Sequence, residues 1–136
     1  MSVFVDTSGF YAVLDADDDM HEAASKAWID MLERGVTLHS TNYILVETIA
    51  LLQNRIGMEA VRVFAADVLP VVKVFWVEEI VHSMAHHTML VAARRGLSLV
   101  DCVSFEAMRR LHLTEAFCFD PHFLEQGFEL VPEPEA

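Results

Sequence analysis

The stretch that most restricts the fold is Val3-Phe4-Val5-Asp6-Thr7-Ser8-Gly9-Phe10. Val3, Phe4 and Val5 lack polar alternation, which marks a strand covered on both faces, as in a parallel sheet. The acid that closes it stands at the strand's carboxyl edge, where open α/β sheets bind ligands. Thr7 or Ser8 is suited to cap a helix starting near Gly9. Asp6 is therefore the first candidate site residue.

The rest of the chain alternates strands and helices. A helix over 9–14 leads into the acidic loop Asp15, Asp17, Asp18 and Asp19. Asp19-x-x-Glu22 has the form of a capping box for a helix ending near Arg34, with Gly35 as its stop. A strand over 36–39 precedes a helix over 43–55, capped by Ser40, Thr41 or Asn42. A helix over 58–69 stops before Pro70, and a strand spans 71–77. The helix expected over 78–95 opens on two acids and closes on Arg94 and Arg95, in keeping with its dipole. A helix over 97–113 has its start signal at Ser98. A strand over 116–119 ends at Asp120, Pro121 opens a short helix to Gln126, and 128–131 is a last strand. Residues 1–131 thus form one α/β domain with a mostly parallel, about five-stranded sheet between helical layers. Residues 132–136 are a short acidic tail.

Composition narrows the function. The chain has 136 residues, 54% hydrophobic, enough for a real core. Its formal charge of −12, from 21 acids against 9 bases, argues against general attraction to nucleic acid and for cations or a basic partner. No apolar run approaches the roughly 18 residues of a membrane span, so a cytoplasmic location is expected. Cys102 and Cys118, without CxxC spacing, read as buried thiols in a reducing compartment.

Four acids sit among apolar neighbours. Asp6 ends a buried strand. Glu47 has Tyr43, Ile44, Ala50 and Leu51 one turn either side, so it is expected to project from an apolar face. Asp101 lies in an apolar helix start, where Ser98-x-x-Asp101 is also a capping box. Asp120 ends a strand, where it can also cap the helix opened by Pro121. If the strands before Asp6 and Asp120 are neighbours, both acids face one crevice. Such a cluster suits Mg²⁺ or Mn²⁺, which take carboxylates, waters and substrate phosphate as ligands.

Val5-Asp6-Thr7-Ser8, the helical Glu47, Leu97-Ser98-x-x-Asp101-x-x-Ser104-Phe105 and Phe119-Asp120-x-His122-Phe123, in that order, resemble the PIN domain over about residues 3–131. The version most similar is the toxin of VapBC-type toxin–antitoxin pairs. The resemblance implies a Mg²⁺- or Mn²⁺-dependent endoribonuclease in which a metal-activated water attacks an RNA phosphodiester. By position, Asp6, Glu47, Asp101 and Asp120 would hold the metal, and Thr7 or Ser8 together with Ser104 would support metal, water or phosphate. It also implies a homodimer and an antitoxin with a basic segment, for which a charge of −12 is suited.

Other readings are weaker. A PIN nuclease of RNA processing outside a toxin pair, or a non-catalytic PIN-like scaffold, shares the fold, but a scaffold has no need of four clustered acids. His82 and His86 have an i, i+4 zinc spacing near Glu79, without an evident further ligand. His122 reads as a helix-start contact that could rim the site. Arg94-Arg95 and Arg109-Arg110 could touch RNA, although helix-end and surface roles explain them as well. Met58, Met84, Met89, Met108, Phe64, Trp76 and Phe105 are expected in the core.

Overall fold

The computed structural model describes residues 1–135. Five strands, β1 (Ser2–Val5), β2 (Thr37–Thr41), β3 (Val72–Phe75), β4 (Glu115–Phe117) and β5 (Glu129–Val131), form one sheet in the order β3-β2-β1-β4-β5. Every pairing is parallel. Seven α-helices connect them: α1 (Thr7–Leu14), α2 (His21–Glu33), α3 (Asn42–Arg55), α4 (Met58–Val63), α5 (Glu79–Ala92), α6 (Leu99–Arg110) and α7 (His122–Glu125). Val3, Phe4 and Val5 are 1%, 0% and 0% exposed, so β1 is covered on both faces as its unbroken apolar run requires. The chain builds outward from β1 through β2 to β3, then returns to lay β4 on the opposite side of β1. The switch point falls between β1 and β4.

Local chemistry sets most boundaries. Thr41 caps α3, accepting a hydrogen bond from the Ile44 amide at 3.2 Å. Ser98 and Asp101 form the full capping box of α6. Cys102 and Cys118 are buried free thiols, and burial raises both pKa values, making them inert. The core is aromatic at its centre: Phe10 meets Phe64 edge-on at 5.1 Å, and Phe105 meets Phe123 edge-on at 5.0 Å.

Several expectations are corrected. The first helix begins at Thr7, not Gly9, and its cap is Asp6, whose carboxylate accepts from the Ser8 amide. The capping box at Asp19 does not form; Asp18 instead accepts from the Met20 amide at 2.9 Å, turning the chain into a helix that starts at His21. The helix over 58–69 is α-helical only to Val63. It widens to a π turn over Phe64–Val68 and tightens to a 3₁₀ turn over Leu69–Val71, because Pro70 offers no amide and clashes with the preceding turn. Helix α5 ends at Ala92, with Ala93 left-handed at φ 50°, so Arg94 and Arg95 lie beyond it rather than in its last turn. The strand before Asp120 closes at Phe117, while Asp120 accepts from the His122 amide at 2.9 Å, the helix-start contact expected of an acid before Pro121. Trp76, Met58 and Met84 are exposed, while Phe64, Phe105 and Met108 are buried. Trp76 directly follows β3, an edge strand with only one sheet neighbour to cover it.

Candidate active site

At the carboxyl ends of β1 and β4 an open crevice is lined by Asp6, Thr7, Glu47, Arg55, Asp101 and Asp120, among others. These residues come from the start of α1, the length of α3, the first turn of α6 and the segment after β4. Two close approaches fix the floor. The Asp6 amide donates to the Phe117 carbonyl at 3.2 Å, tying the end of β1 to β4. A Cβ on Gly9 would lie 2.5 Å from that same carbonyl oxygen, so only glycine lets α1 sit this close to β4.

Ser8 is the residue that holds Asp6. Its hydroxyl donates to Asp6 Oδ2 at 2.8 Å and accepts from the Phe119 amide at 2.9 Å, bridging the strand ends. Thr7 also lines the crevice, and its Oγ1 is buried with no hydrogen-bond partner. Ser104 does not reach the site. One turn past Asp101, α6 is already in the core, where Ser104 is 0% exposed and donates to the Val100 carbonyl at 2.9 Å.

Asp6 is 4% exposed, and burial pushes its carboxyl up to about 7. The two Ser8 bonds oppose that shift, while the charges of Asp101 and Asp120 add to it. Asp101 is also raised, first by burial; the Ser98 backbone amide holds it down, and Asp120 pushes it up. Carboxylates arranged in this way repel one another, with His122 offsetting part of the charge on Asp101.

The tightest group is not the four acids but Asp101, Asp120 and His122, whose ligand atoms lie within 4.8 Å of one another. The His122 Nδ1 is 3.1 Å from Asp120 Oδ1 and 3.4 Å from Asp101 Oδ2, yet the geometry gives it no hydrogen bond. The His122 amide donates to Asp120 Oδ1 at 2.9 Å, so the expected helix-start contact exists in the backbone while the ring joins the site. The motif Phe119-Asp120-x-His122 was the available signal: two residues past a site acid, a short turn brings a side chain back to it.

Glu47 corrects the sequence reading in another way. The buried stripe of α3 is Ile44, Thr48 and Leu52, spaced by four, and Glu47 stands about 100° around the helix from it. It is exposed, on the crevice rim rather than on an apolar face. Solvation there removes the burial cost that made it look anomalous in sequence.

The residues present fit a hard divalent cation. One buried carboxylate is penalised for its charge, two more lie beside it, and Thr7 Oγ1 and His122 Nδ1 are buried without partners. The helical histidines make no such group. His82 instead pairs its Nδ1 with the Tyr43 hydroxyl, and among the described residues no other cluster has metal-ligand spacing.

Fold and site together define the class: the PIN-domain model matches residues 3–129, and the chain belongs to the PIN-domain family. Within that family it is 34% identical over 133 residues to the 23S rRNA-specific endonuclease VapC20 of Mycobacterium tuberculosis, across 96% of this chain and 99% of the relative. The crystal structure of VapC20, described as a sarcin-ricin loop cleaving toxin, superposes with a TM-score of 0.83 at 32% identity, covering 93% of this chain and 95% of that one. A VapBC2 structure from Rickettsia felis shares the fold, with a TM-score of 0.67 at 7% identity over 96% of this chain and 97% of that one.

Proposed function

We propose that the chain is a divalent-cation-dependent endoribonuclease, the toxin of a toxin–antitoxin pair, and that its target is 23S rRNA. The observation that carries the reading is the convergence of buried Asp6 with Asp101, Asp120 and His122 at the switch point. The VapC20 similarity supports the substrate, since it covers 96% of this chain and 99% of the relative. Asp6, Glu47, Asp101 and Asp120 would hold Mg²⁺ or Mn²⁺, with His122 beside them. When bound, such a cation polarises the phosphoryl oxygens and lowers the pKa of a coordinated water.

The chain's own residues supply position and charge. Ser8 fixes the Asp6 carboxylate through Oδ2, leaving Oδ1 without a hydrogen bond among the described residues. Thr7, with an uncommitted hydroxyl, is available to a phosphate oxygen or a water. The strong negative potential of the crevice repels a bare phosphodiester, which makes cleavage depend on neutralising these acids first. The same potential favours an antitoxin with a basic segment. The exposed apolar side chains of Trp76, Ile80 and Met84 support a homodimer. No helix among the described residues is long and apolar enough to cross a membrane, and an rRNA substrate implies action in the cytoplasm.

The test is cleavage of 23S rRNA in intact ribosomes, with Mg²⁺ or Mn²⁺ and with a chelator, the cut being mapped by primer extension. One discrete, chelator-sensitive cut is expected. Unbroken rRNA under both metals would overturn the substrate, and a cut that survives the chelator would overturn the role of the acids.

A further inference from the structure

We propose that Arg55 is the phosphate-binding residue of the crevice and takes an RNA backbone phosphate that flanks the one cleaved. The proposal rests on the nuclease reading above and adds to it the residue that receives the substrate.

A molecule of charge −12 that cuts RNA needs a local cation where the strand enters. Most of its nine basic residues are committed elsewhere. Arg34, Arg62, Arg94 and Arg110 each pair with a carboxylate, and Arg109 donates to Gln126 and lies over the Phe128 ring. Among the residues lining the crevice there are five carboxylates (Asp6, Asp18, Glu47, Asp101 and Asp120) and one cation, Arg55. Within the described residues Arg55 forms no ion pair with any of them.

Its placement suits a phosphate. The guanidinium carbon sits 5.5 Å from the centroid of the Tyr11 ring. Tyr11 is itself fixed, because its hydroxyl donates to Asp15 at 2.6 Å. The ring and hydroxyl of Tyr11 lie against the guanidinium and limit its freedom, and the planar fork of five N–H donors leaves others for a phosphate. Arg55 closes α3 two turns beyond Glu47, roughly 12 Å along the helix axis. That separation takes it past the metal-side acids to a neighbouring position on a bound strand. It also keeps the cation from neutralising the acids that must hold the metal.

The experiment compares 23S rRNA cleavage by the parent, Arg55→Lys and Arg55→Met over a range of salt, beside a calorimetric Mn²⁺ titration of all three. Arg55→Met retains an aliphatic chain over Tyr11 and the Lys variant retains the charge, so both are expected to fold. Arg55→Met is expected to raise KM about tenfold, far more than it lowers kcat. It should also flatten the log–log salt dependence of kcat/KM by about 0.7, one phosphate's share on a single strand. Arg55→Lys should recover the salt slope and part of KM, with Mn²⁺ affinity unchanged throughout. A folded Arg55→Met protein with the parent's KM and salt slope would overturn the proposal and leave the nuclease intact. So would a loss confined to kcat or to Mn²⁺ binding. A parent that cuts no rRNA would remove the nuclease reading, and this proposal with it.

Discussion

The acid crevice and helix α5 both carry side chains of metal-ligand type, and they differ in how those side chains are brought together. On α5, His82 and His86 come from one helix at i, i+4, with ring centroids 6.2 Å apart. Their helix supplies no further ligand nearby, and His82 pairs with Tyr43 instead. In the crevice, each acid comes from a different place in the fold: the junction of β1 and α1, α3, α6 and the turn after β4. One helix fixes two directions easily, but enclosing an ion takes ligands from several. Burial marks the difference, since Asp6 is 4% exposed and His86 stands in solvent.

The largest contrast is expected from removing one side chain in each region. Asp6→Asn should lower Mn²⁺ affinity and rRNA cleavage by at least about a hundredfold, above the loss usual for a residue that only supports a ligand. His86→Ala should change neither. Calorimetry and primer extension on the two proteins check this, and equal losses would dissolve the distinction.

The second difference is electrostatic and shows in stability against pH without metal. Asp6 titrates near 3.8 when unfolded and near 7 in the fold, so the folded state holds an extra proton between those values. Its stabilising contribution is complete below about pH 4 and is lost as pH rises to about 7, a change on the order of a few kcal/mol. Denaturant melts should therefore show stability falling over that window in the parent and falling less in Asp6→Asn, where the raised Asp101 carboxyl remains. Mn²⁺ should reverse the fall at pH 7.

A smaller effect is expected from Ser8→Ala. The change removes a donor to Asp6 and the acceptor of the half-buried Phe119 amide, costing about 1–3 kcal/mol in thermal or denaturant melts. Because Ser8 only orients Asp6, Mn²⁺ binding should weaken by about ten- to a hundredfold rather than disappear. Intact affinity in a folded Ser8→Ala protein would show that packing alone holds the carboxylate.

Much of the site was legible before the fold was known. An apolar triplet ending in Asp6 reports both burial and the sheet edge, because a strand without alternation has no solvent face. The capping box at Ser98 and Asp101 is local chemistry, and it formed as written. Glu47 misled because helical spacing ranks its neighbours without saying which of them face the core; the stripe Ile44, Thr48, Leu52 turned it outward. Ser104 was placed at the site by the resemblance, yet its hydroxyl is buried and donates to the Val100 carbonyl.

The sequence by itself determined the parallel α/β plan, the order of its elements and the identity of the acids, since periodicity, caps and buried runs act over a few residues. Only the tertiary structure decided that His122 joins Asp101 and Asp120, that Ser8 bridges β1 to Phe119, and that Arg55 is the one cation on the crevice wall. Each of those facts joins residues far apart in the chain or depends on which way a helix is turned. Both are fixed by packing the whole core, not by any segment of it.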